Sequence, residues 1–281
     1  MASANTYRGL GVLFLMTSVA LPPEVRSESC VALHGHALQG GVLWGQVSSG
    51  TKVTFAGQPV PLLPDGHFLV GLGRDMPASN PLEVDNGSVC SQEVLVEQRE
   101  YRLQTITGVP QQTVTPSATH LARIRREREL VGAAKNRRIA SDDGLVAVRE
   151  GFSWPVTGRI SGVYGSQRIY NGTPGTPHYG VDVARPTGTP VMAPAPGVVT
   201  LAEPDLFYSG GTVILDHGHG LSSSFLHLSK LTVKVGDRLR TGDMLGEIGA
   251  TGRATGPHLD WRMSWLNQRI DPQLLVPPMP E

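Results

Sequence analysis

Cysteine is nearly absent: Cys30 and Cys90 are the only two in 281 positions. No Cys-x-x-Cys pair exists, which excludes thiolate metal sites and disulfide-dense scaffolds. In an exported chain the two would pair, closing a loop of roughly 60 residues worth about 4 kcal/mol on the chain-entropy model. Net charge is also missing, since Lys+Arg and Asp+Glu each number 24. That leaves no electrostatic footprint for nucleic acid, so no nucleic-acid partner is expected. Long apolar runs are missing too. The longest, Leu10 to Leu21, holds about a dozen residues, short of the ~20 a spanning helix needs. Arg8 ahead of it, Ser18-Val19-Ala20 at its end and Pro22-Pro23 beyond predict an export signal over 1–20, cleaved near Ala20. The expected location is therefore outside the cytoplasm, in the periplasm, with no stable membrane span after cleavage. Neither Gly-x-Ser-x-Gly nor His-Glu-x-x-His occurs, which removes two common hydrolase signatures.

Glycine (34) and proline (22) are plentiful, as in chains of short strands joined by tight turns. Strand-like runs recur at Val42–Val47, Lys52–Phe55, His67–Val70, Val94–Val96 and Tyr101–Gln104, with Pro64-Asp65-Gly66 as a strong turn. Residues 21–108 are read as a small β-sandwich. His34, His36 and His67 there lack a carboxylate at ligand spacing and are read as ordinary surface residues. Thr115-Pro116 reads as an N-cap and first helical position, opening a basic helix towards Ile139 inside a helical connector, 109–150. Its cations Arg123, Arg125, Arg126, Arg128, Lys135, Arg137 and Arg138 are read as a solvated face, and Ser141-Asp142-Asp143-Gly144 as a break. From 151 to 281 the pattern returns to β, with strands expected at Val198–Leu201, Thr212–Leu215 and Ser224–Leu226. The fold class is thus mainly β: an N-terminal small β-sandwich, a connecting helix and a C-terminal antiparallel barrel-sandwich. The paired turns Val235-Gly236-Asp237 and Thr241-Gly242-Asp243 also occur in lipoyl-type carrier domains. Those need a displayed lysine at a hairpin tip, and none follows Lys234.

Five of the nine histidines fall between His178 and His258. In Pro177-His178-Tyr179-Gly180-Val181-Asp182, proline and glycine argue against a helix. On a strand, His178, Gly180 and Asp182 share a face, with glycine leaving room for an ion between two good zinc ligands. In Pro257-His258-Leu259-Asp260-Trp261, His258 and Asp260 share a face in the same way. His227, in Leu226-His227-Leu228-Ser229, sits at a strand end within reach of one cleft. His217 and His219 lie in the glycine-rich stretch 216–220 and are read as turn residues.

These three ordered motifs carry a resemblance. The segment from Trp154 to about Pro272 resembles the lysostaphin/LytM-type zinc endopeptidases, which have His-x-x-x-Asp, a central His-Leu-Ser and a terminal His-x-His. The resemblance implies hydrolysis of amide bonds in peptidoglycan peptide cross-links, dependent on one Zn2+ ion. It implies metal ligands at His178 and Asp182, and catalytic roles for His227 and His258 beside a water activated by the ion. Where the family has its last histidine, this chain has Asp260. One reading makes Asp260 the third ligand, since a carboxylate oxygen and an imidazole Nδ1 reach similarly far from the backbone. The alternative is a non-catalytic peptidoglycan-binding module or an activator of another wall hydrolase.

Overall fold

The computed structural model describes residues 1, 29–107, 118–137, 139 and 141–280. The expected export signal and the Thr115 cap lie outside them. Eight strands precede the helices: β1 (Leu33–Gly35), β2 (Val42–Gln46), β3 (Lys52–Phe55), β4 (Gln58–Pro59), β5 (His67–Gly71), β6 (Ser79–Asp85), β7 (Val89–Leu95) and β8 (Leu103–Ile106). Two helices follow, α1 (Ala118–Asn136) and α2 (Asp143–Glu150). Then come β9 (Arg159–Gly162), β10 (Gln167–Tyr170), β11 (Thr173–Pro174), β12 (Gly180–Ala184), β13 (Pro190–Met192), β14 (Gly197–Leu206) and β15 (Gly210–Gly218). The last are β16 (Leu221–Leu231), β17 (Arg238–Leu239), β18 (Met244–Ile248), β19 (His258–Trp265) and β20 (Gln268–Ile270).

The described residues are mostly β with several antiparallel sheets, none of them closed, in agreement with the expected class. A three-stranded sheet, β1-β2-β5, and a four-stranded one, β4-β3-β6-β7, enclose Val42, Phe55, Phe68 and Leu82. Cys90 on β7 is bonded to Cys30, with Cα atoms 5.7 Å apart. Their shared core runs without a break into that of a ten-stranded sheet, whose main path is β17-β14-β15-β16-β19-β12-β9. Gly71 permits this junction: a Cβ there would stand 2.7 Å from the Trp265 Cβ. β8 pairs in parallel with β10, so the chain leaving the first sheets braces the β10–β11 hairpin.

Alternation on β15 decides how the large sheet is covered. Val213, Leu215 and His217 face the main core, whereas Ile214 joins Leu201, Leu206 and Ala134 of α1 in a second apolar cluster. Helix α1 therefore lies on the face opposite the core. Arg123 donates to the Asp205 carbonyl at 2.6 Å, and Glu127 accepts the Phe207 amide at 2.8 Å. Its basic face is not wholly solvated as expected, because Lys135 donates to the Ser264 hydroxyl at 3.1 Å. The stretch read as a break begins α2 instead: the Ser141 hydroxyl accepts the Asp143 amide at 3.3 Å and lets the chain coil. His67 has the carboxylate it was read to lack, its Nδ1 lying 2.8 Å from Asp65 across the tight turn.

Candidate metal centre

β12 and β19 run antiparallel in a register that sets Gly180 opposite Arg262, Asp182 opposite Asp260 and Ala184 opposite His258. Two carboxylates directly opposed repel one another unless positive charge joins them. His178 lies just ahead of β12, held by main-chain bonds from its amide to the Ser166 carbonyl and from the Gly165 amide to its own carbonyl, both 2.8 Å. One ligand atom each of His178, Asp182 and Asp260 falls within 4.8 Å of the others. The His178 Nε2 and Asp182 Oδ1, 3.2 Å apart, are buried and lack a hydrogen-bond partner. Glycines clear the space. A Cβ on Gly180 would meet the Asp260 Oδ1 at 2.7 Å, and one on Gly162 would collide with the Asp182 carboxylate. The donor set and its unsatisfied atoms fit a divalent cation.

His227 enters from β16, opposite the same region of β19: its neighbour Leu226 pairs with Asp260. It lies within the strand rather than at its end, with φ of 66° in the left-handed region. That conformation is costly for a residue with a Cβ inside a sheet, and such strain clusters at functional sites. The His227 Nδ1 bonds the Thr251 carbonyl at 2.8 Å, and the His258 Nδ1 bonds the Gly256 carbonyl at 2.8 Å. A carbonyl only accepts, so each Nδ1 carries a proton and each Nε2 is left free of that bond. The two rings lie 4.8 Å apart, and the His258 Nε2 is 3.9 Å from the Asp182 Oδ1. All five residues singled out in the sequence thus converge.

Burial disfavours the His178 imidazolium, but the Asp182 and Asp260 carboxylates outweigh it and lift its pKa above the ordinary value. Burial lowers the pKa of His227, which keeps that ring neutral near pH 7. Burial alone would raise Asp260, yet Arg262 holds it below the usual carboxylate range. Arg262 was not singled out in the sequence. Its Nε lies 2.9 and 3.0 Å from the two Asp260 oxygens, and its Nη2 lies 2.5 Å from Oδ2. The sign was present in Asp260-x-Arg262, opposite charges two apart on one strand face.

Tyr208 and Ser209 flank the site: the Ser209 carbonyl accepts the His227 amide at 2.8 Å, and the Arg253 guanidinium lies 5.5 Å from the Tyr208 ring. The β10–β11 hairpin turns at Asn171 and Gly172, both with positive φ. A cavity of about 670 Å³, lined by Pro61, Leu63, Ile139 and His219 among others, includes none of the five convergent residues.

His217 is not a turn residue. It is fully buried on β15, between the Pro196 carbonyl at 2.7 Å and the Ser223 hydroxyl at 2.8 Å. Burial pushes its pKa down to about 4. Below the ordinary value of 6.5 the unfolded chain takes up a proton that the folded one refuses. The stability from His217 is therefore complete above pH 6.5 and is lost as the pH falls towards 4, by roughly 3 kcal/mol. Urea unfolding of wild type and His217→Gln at pH 7.5 and pH 4.5 checks this. The two proteins should converge in stability at the lower pH, and a constant gap would contradict the assignment.

Residues 176–272 match the model of peptidase family M23. A crystal structure of a Pseudomonas aeruginosa protein described as an M23 peptidase is similar over 85% of this chain and 95% of that one. The sequence identity is 32% and the TM-score 0.66. The peptidoglycan DD-endopeptidase ShyA of Vibrio cholerae is 40% identical over 106 residues, 37% of this chain and 24% of that protein. The DD-carboxypeptidase/endopeptidase Mpg of Neisseria meningitidis is 38% identical over 104 residues, again 37% and 24%. The chain spans about a quarter of the length of these two curated relatives.

Proposed function

This chain belongs to peptidase family M23, and from that premise we propose that it is a zinc-dependent endopeptidase of peptidoglycan peptide cross-links, acting in the periplasm. The observation that carries the reading is the meeting of His178, Asp182 and Asp260, two of them with buried and unsatisfied ligand atoms, beside the paired rings of His227 and His258. His178, Asp182 and Asp260 would hold the ion, which when bound supplies Lewis acidity for water and for the scissile carbonyl. His227, neutral and with its Nδ1 proton tied to Thr251, takes a proton from the attacking water at Nε2. His258, nearer the Asp182 carboxylate, is the better placed to carry a proton at Nε2 and to donate it towards the developing oxyanion. The peptidoglycan substrate is carried over from the two relatives described as endopeptidases. The Cys30–Cys90 disulfide supports an oxidising compartment.

One observation favours a second reading, a wall-binding or hydrolase-activating module. Arg262 already neutralises Asp260, which weakens that carboxylate as a metal ligand. Incubating the purified chain with cross-linked muropeptide dimers separates the two. Monomers formed with zinc, lost with chelator and restored by zinc support the peptidase. Wall binding without any turnover, with or without zinc, supports the module.

A further inference from the structure

Along β19, on the face that carries His258 and Asp260, the next residues are Arg262 and Ser264. Register extends this face sideways. Arg262 lies opposite Ser224 of β16, and Ser264 lies between Ser222 of β16 and Arg269 of β20. Positive charge collects on these small hydroxyl residues. Lys135, arriving from α1, donates to the Ser264 hydroxyl at 3.1 Å, and the Arg269 Nη1 donates to the same oxygen at 2.8 Å. Among the described residues, no carboxylate lies within 4.0 Å of the Lys135 ammonium or the Arg269 guanidinium, and the one that Arg262 reaches is Asp260. Asp216, in the same cross-strand row, turns its oxygens to the Gly218 and Ile139 amides.

Partly buried cations without a counter-charge are costly, and an arriving anion offsets that cost. Burial lowers the proton affinity of both Lys135 and Arg269, and so does repulsion, from Arg269 and Arg262 on Lys135 and from Arg262 on Arg269. A second observation points the same way. Ser224 is 5% exposed, and its hydroxyl oxygen is buried without a hydrogen-bond partner. The group is not sealed off, since a third of the Arg262 side chain is accessible and Lys135 and Arg269 are half-buried. Arg269 spends one N–H on Ser264, leaving donors that suit the two oxygens of a carboxylate.

We propose that Lys135, Arg269 and Ser264, with the Ser224 hydroxyl, form an anion subsite that binds a carboxylate of the peptide substrate. At about 3.4 Å per strand residue it lies roughly 7–14 Å along β19 from Asp260. An extended peptide covers that distance in about two to four residues, so the carboxylate belongs to a residue near the scissile bond and not at it. The identity of the ligand rests on the peptidase reading; the charge requirement does not.

The test uses the full chain and cross-linked muropeptide dimers with carboxylates either free or converted to amides. Calorimetry in chelator reads binding, and zinc-supplemented incubation reads hydrolysis. Wild type should bind the free acid at least about tenfold more tightly than the amide, as expected for one charge-assisted pair. Lys135→Met and Arg269→Gln should each lose that preference, while Lys135→Arg and His178→Ala keep it. Equal affinity of wild type for acid and amide, or a preference unchanged in both Lys135→Met and Arg269→Gln, overturns the subsite. Absence of hydrolysis with the acid preference intact would instead overturn the peptidase reading and leave the subsite standing.

Discussion

Replacing either His227 or His258 by alanine should lower turnover of a cross-linked wall peptide roughly 10²- to 10⁴-fold, the range for loss of a positioned acid or base. The metal content should stay at the wild-type level. The asymmetry follows from where the rings are tied. Each Nδ1 is committed to a main-chain carbonyl, Thr251 for His227 and Gly256 for His258, and neither residue is among the three ligand atoms that cluster within 4.8 Å. The two should act as one unit at 4.8 Å separation, so the double variant should lose much less than the product of the single losses. His227→Gly is an informative companion. Its backbone relieves the positive φ at this position, so it should fold at least as well as His227→Ala while being equally inactive. Loss of metal in either alanine variant would move that histidine into the ligand set.

The second large effect concerns Asp260, which pairs with Arg262 and is proposed to hold the ion as well. Asp260→Ala should abolish metal binding and also destabilise the metal-free protein, because Arg262 would be left beside it without its counter-charge. Breaking a buried pair costs about 3–5 kcal/mol. The lower end applies here, since a third of the Arg262 side chain remains exposed. Adding Arg262→Met to Asp260→Ala should restore most of the stability and none of the metal. Denaturant unfolding in chelator, set beside metal content, measures both. Recovery of metal binding in the double variant would show that Asp260 is no ligand.

The paired residues of the site were legible because a strand has period two. His258 and Asp260 needed only β19 to be a strand, and Asp182 with Gly180 needed only β12. His178 was legible for a weaker reason, as it lies ahead of the strand and is oriented by the bonds to Gly165 and Ser166. The strand carrying His227 was legible only in part, at Ser224–Leu226, although it runs from Leu221 to Leu231. Four serines and a histidine break its hydrophobic alternation: Ser222 and Ser224 lie opposite Ser264 and Arg262 on the face of Asp260, while Ser223 bonds the buried His217 on the other. His217 was misplaced because Gly218 and Gly220, which follow it, imitate a turn, whereas bonds to Pro196 and Ser223, set by tertiary packing, take it into the core. Lys135 could not be assigned in advance, since its partner Ser264 is 129 residues away and only the docking of α1 on β14 and β15 brings them together.

The account rests most heavily on one divalent ion held by His178, Asp182 and Asp260, and the metal content of the purified chain tests that directly. Elemental analysis after dialysis against trace zinc should give one zinc per chain for wild type and none for Asp260→Ala. Asp260→His should retain zinc at the same ratio, because an imidazole Nδ1 reaches about as far as the carboxylate oxygen it replaces. Zinc-free wild type, or zinc that persists undiminished in Asp260→Ala, would contradict it.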